Sequence, residues 1–229
     1  MNNNLVVKQI DVGPMANFTY LIGCRSTGEC LVVDPAWDID KIVQSAALEK
    51  LKIVGALVSH YHPDHVGGHL WGHDIAGLTE LLNYQPMPIY ANKKEIDGIV
   101  TLTGLSSNDL TPVDSGEDIK VGTVNVKAIH TPGHTPGSQC FLCDEQFLFA
   151  GDTLFLSGCG RVDLPGGNAD DLYTSLHQKI AKLSDSTIVF PGHDYDSKKS
   201  DTLAHVKIFN PYLKAESLSE WHSLMQNRQ

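Results

Sequence analysis

The stretch SHYHPDHVGGHLWGHD, residues 59–74, carries five histidines in sixteen positions, nearly half of the eleven in the chain. It directly follows KIVGALV (52–58), a continuous apolar run of the kind that forms a strand buried on both faces. Turns at the ends of rigid strands are where functional side chains concentrate. His60, His62, Asp64 and His65 form the pattern HxHxDH. With residues 60–62 extended, His60 and His62 project to one side and can hold one cation together. Pro63 then turns the chain, which lets Asp64 and His65 face a second cation nearby. His69 and His73 lie four and eight residues after His65. That spacing puts them on its face if the chain is helical there, as a helix surface or pocket rim.

The other ligands must come from elsewhere, and three more polar turns follow apolar runs: TPGHTPGS (131–138), GDT (151–153) and PGHD (191–194). His134, between Pro132-Gly133 and Pro136-Gly137, is held with little freedom, and His193 has the same PGH setting. Asp152 ends the run QFLFA, and its carboxylate can bridge two cations. The expected assignment is His60, His62 and His134 on one site, Asp64, His65 and His193 on a second, with Asp152 between. Asp64 and Asp152 are the expected catalytic carboxylates. Three-ligand sets leave a position for water, which marks catalytic rather than structural sites. Mixed imidazole and carboxylate donors suit zinc, the expected metal, and also iron or manganese. Two cations about 3.5–4 Å apart would lower the pKa of a shared water to roughly 7, giving hydroxide for hydrolysis of a thioester, ester or amide.

The remaining pattern reads as α/β. LVVKQIDVG, NFTYLIGC and ECLVVDPA predict an antiparallel meander. DIDKIVQSAALEKL predicts a helix with Asp38 as N-cap. GLTELLN and NKKEIDGIV read as short helices around a strand at MPIYA. IKVGTVNVKAIH has a hairpin signature, and SQCFLC and QFLFAGD are strands joined at Asp144-Glu145. ADDLYTSLHQKIAKL predicts an amphipathic helix with Leu172, Leu176, Ile180 and Leu183 on one face. STIVFPGHD predicts another buried strand, and DTLAHVKIFN and ESLSEWHSLMQN predict closing helices divided by Pro211. Two sheets packed face to face with helices outside fit this order.

At 229 residues, one domain with a short appendage is expected. The net charge of −10 disfavours nucleic acid as a partner. No apolar run reaches the roughly 18–20 residues needed to cross a membrane. MNNNLVVKQI lacks signal-peptide features, so a cytoplasmic protein is expected, as a monomer or homodimer. CFLC (140–143) reads as reduced, buried strand cysteines, because residues three apart on a strand face opposite ways. His130, His177, His205 and His222 fall in strand or helix patterns and are given no function.

The set SHYHPDHVGG, TPGHTPGS, AGDTLF and PGHDY resembles the metallo-β-lactamase superfamily. The resemblance implies a four-layer αβ/βα sandwich with a dinuclear site at one edge, and all seven family ligand positions are matched. GDTLFLSGCGRVD, DLYTSLHQKIAKL and PGHDY are most similar to the glyoxalase II group, which implies a hydroxyacylglutathione thioester as substrate. Two features depart from that group. Its helical C-terminal region is abbreviated here to 196–229, within a single domain spanning 1–229, and an apparent insertion lies around 72–86. Arg161 is the expected partner for a substrate carboxylate, with Lys198 and Lys199 as further cations and Tyr195 as a pocket residue. CGRVD and HDY…FNPYL also resemble glutathione-dependent persulfide dioxygenases, in which His62, His134 and Asp152 would hold a single iron. A lactone or ester hydrolase, and a metal-binding protein without activity, also fit these residues.

Overall fold

The predicted meander is present as β1 (Leu5–Val12), β2 (Asn17–Cys24) and β3 (Glu29–Val33), paired antiparallel in chain order. The computed structural model describes residues 4–226. Helix α1 (Ile39–Leu48) then carries the chain back so that β4 (Lys52–Leu57) pairs parallel to β3. Asp38 stands at the N-cap of α1, but its carboxylate accepts the Gly13 N–H (3.0 Å) instead of capping the helix. It ties the β1–β2 turn to the helix rather than saturating the helix's own donors.

After β4 the HxHxDH segment leads into a one-turn helix, α2 (Pro63–Val66), with Pro63 at its first position. The helical path that would put His69 and His73 on one face with His65 does not form. Gly67 and Gly68 adopt φ of +89° and +116°, which end the helix after one turn. The chain instead makes a hairpin of β5 (Gly68–Leu70) and β6 (His73–Ile75). The predicted helices and strand follow as α3 (Leu78–Tyr84), β7 (Ile89–Asn92) and α4 (Ile96–Thr103), and β8 (Leu110–Val113) completes the first sheet. Its order is β1-β2-β3-β4-β7-β8, antiparallel over the first three strands and parallel over the rest.

The second half repeats the scheme. β9 (Asp118–Val121), β10 (Val124–His130), β11 (Gln139–Cys143) and β12 (Phe147–Gly151) form an antiparallel run. Asp144 and Glu145 both take positive φ at the β11–β12 turn, where the Gln146 N–H donates to the Cys143 carbonyl (2.9 Å). Helix α5 (Ala169–Thr174) continues through a π turn over Ser175–Lys179 and a 3₁₀ turn over Ile180–Lys182, where one regular helix is predicted. Leu172, Leu176 and Ile180 are still buried on one face, while Leu183 is only partly buried. β13 (Ile188–Pro191) joins β12 in parallel, and β14 (Asp201–Thr202) closes the sheet. Helices α6 (Leu203–Phe209), α7 (Pro211–Lys214) and α8 (Leu218–Gln226) end the described chain.

Three apolar clusters define four layers. The middle one packs the sheets together through Phe18, Tyr20, Phe141 and Phe149. Each such side chain contributes about 1.5–3 kcal/mol by leaving water. The outer clusters hold α1, α3 and α4 on the first sheet and α5, α6 and α8 on the second. Cys140 belongs to the outer cluster and Cys143 to the middle one, the opposite facing expected along a strand. Both are buried free thiols, and burial pushes Cys140 up to about 11. No helix among the described residues is long and apolar enough to cross a membrane.

At one edge the two sheets are joined by backbone hydrogen bonds, Phe18 N–H to the Gly192 carbonyl (2.8 Å) and Gln139 N–H to the Ser59 carbonyl (2.9 Å). β3, β4, β10, β12 and β13 all deliver their C-terminal turns to this edge. Gly151 is required there: its φ is +49°, and a Cβ would lie 2.6 Å from Ser59 Oγ.

Candidate metal centre

The turns after β4, β10, β12 and β13 bring all seven expected ligand positions to that edge. Donor atoms of His60, His62 and His134 lie within 4.8 Å of one another, and so do those of Asp64, His65 and His193. His62 Nδ1 is 3.0 Å from His134 Nε2. Asp152 faces both groups. Its Oδ1 is 3.4 Å from His193 Nε2 and 3.5 Å from His65 Nε2, and its Oδ2 is 3.7 Å from His134 Nε2. Local sequence explains the split. His62 is extended, so it sits beside His60, whereas Pro63 starts α2 and swings Asp64 and His65 to the far side.

Four of the five imidazoles are fixed through Nδ1. His65 Nδ1 donates to Asp34 Oδ2 (3.1 Å), His134 Nδ1 to the Arg161 carbonyl (2.7 Å) and His193 Nδ1 to the Met15 carbonyl (3.0 Å). His60 Nδ1 lies 2.9 Å from Ser59 Oγ, whose own proton goes to Asp34 Oδ2 at 2.6 Å, so the imidazole is the donor. Each Nε2 therefore faces the centre, the arrangement that orients histidines for metals. His60 Nε2 is buried with no hydrogen-bond partner, and so is Asp152 Oδ1. His65 Nε2 and His193 Nε2 are only 3.3 Å apart. Buried ring nitrogens and carboxylate oxygens converging in this way are costly unless positive charge, a proton or a metal ion, lies among them. The donor set thus fits divalent metal ions.

The electrostatics agree. Burial, reinforced by neighbouring imidazoles, holds His60 well below the ordinary histidine range and His62 down to about 4, so both are neutral donors at neutral pH. At His65, burial opposes protonation, but Asp64 and Asp152 outweigh it and push it well above its usual range. Burial alone would raise Asp152, yet His193 and His65 hold it well below the carboxylate range. The second group is built to carry positive charge.

Above these residues is a cleft of about 340 Å³. The hairpin residues Leu70 and Trp71 line it, and so do Phe155, Leu164 and Tyr195.

A model of the metallo-β-lactamase superfamily matches residues 12–193, which hold every one of these ligand positions. The chain belongs to the metallo-β-lactamase superfamily. Within this superfamily it is 35% identical over 198 residues to a hydroxyacylglutathione hydrolase of Polaromonas sp., covering 83% of this chain and 67% of that one. It is 30% identical over 227 residues to human mitochondrial persulfide dioxygenase ETHE1, covering 97% and 81%. The crystal structure of ETHE1 from Myxococcus xanthus superposes with a TM-score of 0.83 at 28% identity, over 98% of this chain and 91% of that one.

Other expected site residues are placed differently. Tyr195 lines the cleft and stacks on His193, with centroids 4.7 Å apart and planes inclined by 11°. Arg161 also lines the cleft, but its guanidinium makes a bidentate pair with Asp163, at 2.7 and 2.6 Å. Lys198 pairs with Asp201 and Lys199 with Asp11, and neither lysine lines the cleft. His69 is exposed and pairs with Asp74 (2.9 Å). The hairpin leaves it and the exposed His73 outside the ligand groups and outside the lining of the cleft.

Sequence reasoning missed the supporting residues. Asp34, at the end of β3, accepts the Ser59 N–H (2.7 Å), the Ser59 hydroxyl and His65 Nδ1–H, so its oxygens are already engaged. Its signal was available, since VVDPA ends a strand as the ligand turns do. Asn17 Nδ2 donates to Asp64 Oδ2 (2.9 Å). Glu95, fully buried at the start of α4, accepts Tyr61 N–H (2.7 Å), Gly137 N–H (2.6 Å) and the Thr135 hydroxyl (2.9 Å). It joins the turn carrying His60 and His62 to the turn carrying His134.

Proposed function

We propose that this chain is a metal-dependent hydrolase that cleaves a thioester at a dinuclear centre. His60, His62 and His134 would hold one divalent ion, and Asp64, His65 and His193 the other. Asp152 lies between them, and zinc is the metal proposed. The observation that carries this reading is the second group. Asp64, His65 and His193 converge as closely as the first three, and Asp152 turns one oxygen to each. Bound there, two cations would lower the pKa of a shared water to about 7 and polarise the scissile carbonyl.

The chain's own residues do the rest. The Nδ1–H bonds to Asp34, Ser59, Arg161 and Met15 fix the imidazoles before substrate arrives, so little reorganisation is needed during reaction. Asn17 holds Asp64. Tyr195 keeps its proton at neutral pH, because burial and then Asp152 and Asp64 push it up to about 12, and it can donate to a substrate oxygen at the rim. Overall, water adds across the C–S bond to give a carboxylic acid and a thiol. The likeness to hydroxyacylglutathione hydrolases makes S-lactoylglutathione the first substrate to test.

The second reading is a persulfide dioxygenase with one iron on His62, His134 and Asp152, favoured by the likeness to ETHE1. Metal content separates the two. Two metals per chain with thioester hydrolysis and no oxygen uptake supports the hydrolase, and Asp152→Ala or His62→Ala should lower that rate at least about 100-fold. One iron per chain with oxygen consumption on glutathione persulfide would overturn it.

A further inference from the structure

The hairpin β5–β6 places an indole where the fold has no use for it. Trp71 is 79% exposed, belongs to none of the three apolar clusters and has a left-handed φ of +49°. It makes no ring contact among the described residues. A single exposed apolar residue is unremarkable in itself. Trp71, however, lines the same cleft as the candidate ligands, together with Leu70, Phe155, Leu164 and Tyr195. Of these, Phe155 is held edge-on to both Tyr195 (5.3 Å) and His193 (5.9 Å).

The charges point the same way. Arg161 is the one lysine or arginine among the described residues lining the cleft, and Asp163 already occupies its guanidinium fork. Binding a substrate carboxylate there would give up one bidentate pair to make another, with little net gain. A glutathione thioester brings two carboxylates, and the described residues of this cleft offer no unengaged lysine or arginine to meet them.

We propose that Trp71 and Phe155 form a binding pocket for a flat or branched apolar group, so that the enzyme selects weakly charged apolar thioesters over glutathione thioesters. This rests on the hydrolase reading for its chemistry, but the pocket can be tested apart from it. Thioesters of N-acetylcysteamine would be compared with acetyl or phenylacetyl on the acyl side, together with benzyl thioacetate, which carries the ring on the thiol side. At least one phenyl compound should exceed the acetyl one in kcat/KM by about tenfold or more, the scale set by an added apolar contact in a pocket. In Trp71→Ala that ratio should fall to about twofold or less. An unchanged ratio, or a higher kcat/KM for S-lactoylglutathione than for either phenyl compound, overturns the proposal.

Binding supplies the independent arm. A non-hydrolysable phenethyl thioether of N-acetylcysteamine should quench tryptophan fluorescence in the metal-loaded protein, and the quench should vanish in Trp71→Phe. If the thioether quenches but no thioester is cleaved, the pocket stands and the hydrolase reading falls. If thioesters are cleaved but the thioether fails to quench, the hydrolase reading stands and the pocket falls.

Discussion

Glu95→Gln is the sharpest probe of how the first ligand group is assembled, because it alters no ligand and almost no volume. The carboxylate has no exposed surface and accepts three donors, two on Oε1 and one on Oε2. Tyr61 lies between His60 and His62, and Thr135 follows His134, so the three bonds hold two ligand turns in register. Gly137 fits only because it lacks a side chain, since a Cβ there would lie 2.5 Å from Oε1. Glutamine offers one acceptor oxygen. Its best orientation keeps Thr135 and Gly137 and turns the amide NH₂ against the Tyr61 N–H. That loses one hydrogen bond to a charged acceptor, worth about 1.5–3 kcal/mol, and strands a donor at a cost of about 1–3 kcal/mol more. Part is recovered, because burial disfavours the Glu95 carboxylate and raises its pKa, and glutamine removes that burden. A net loss of about 2–3 kcal/mol remains.

Expressed at the His60–His62–His134 group, that loss is a metal affinity weakened about 30- to 150-fold, at 1.4 kcal/mol per factor of ten. The Asp64–His65–His193 group touches none of the three bonds and should hold its affinity within about threefold. Zinc competition against a chromophoric chelator resolves two such steps, and melting of the metal-free variant separates a local effect from general loss of stability. Two unchanged affinities would show that Glu95 serves the fold alone. Equal weakening of both steps would show that it acts through overall stability, and either outcome refutes the reasoning.

Two further changes probe the second ligand group and the packing beneath it. Asp34→Asn keeps the backbone, since asparagine tolerates the φ of +50°, but puts an NH₂ against Ser59 or His65. Metal affinity at the second group should fall about 10- to 100-fold in a cobalt titration followed by its visible bands, and an unchanged titration rejects the supporting role. Trp221→Ala empties the anchor of α8, which is fully buried, packs on Tyr173 and Tyr212 and donates to the Ala169 carbonyl (3.0 Å). Denaturant melts should show a loss of about 3–5 kcal/mol, whereas a loss below about 1 kcal/mol would mean that the C-terminal helices pack independently of the second sheet.

The ligands were legible because a metal demands particular side chains, and the turns that carry them follow apolar runs that can only be buried strands. His60, His62, Asp64 and His65 announce themselves in six positions, and Pro63 even marks where one group ends and the other begins. The strands were legible for the same reason, being short apolar runs cut by turn residues. The path after His65 was not legible, because the spacing of His65, His69 and His73 fits a helix, while Gly67 and Gly68 override it. Left-handed backbone at two consecutive residues decides the path, and side-chain periodicity carries no information about it. The supporting shell was hidden for a different reason. Met15 and Arg161 hold His193 and His134 through carbonyl oxygens, which every residue possesses, so no residue type at those positions could have marked the role. Asp34 and Glu95 do act through their side chains, but Asp34 reaches His65, 31 residues on, only once β3 and β4 have paired, and Glu95 reaches Thr135, 40 residues on, only once the two sheets have met. Identity at 34 and 95 therefore constrains the centre through the side chain, whereas at 15 and 161 only the path of the backbone does.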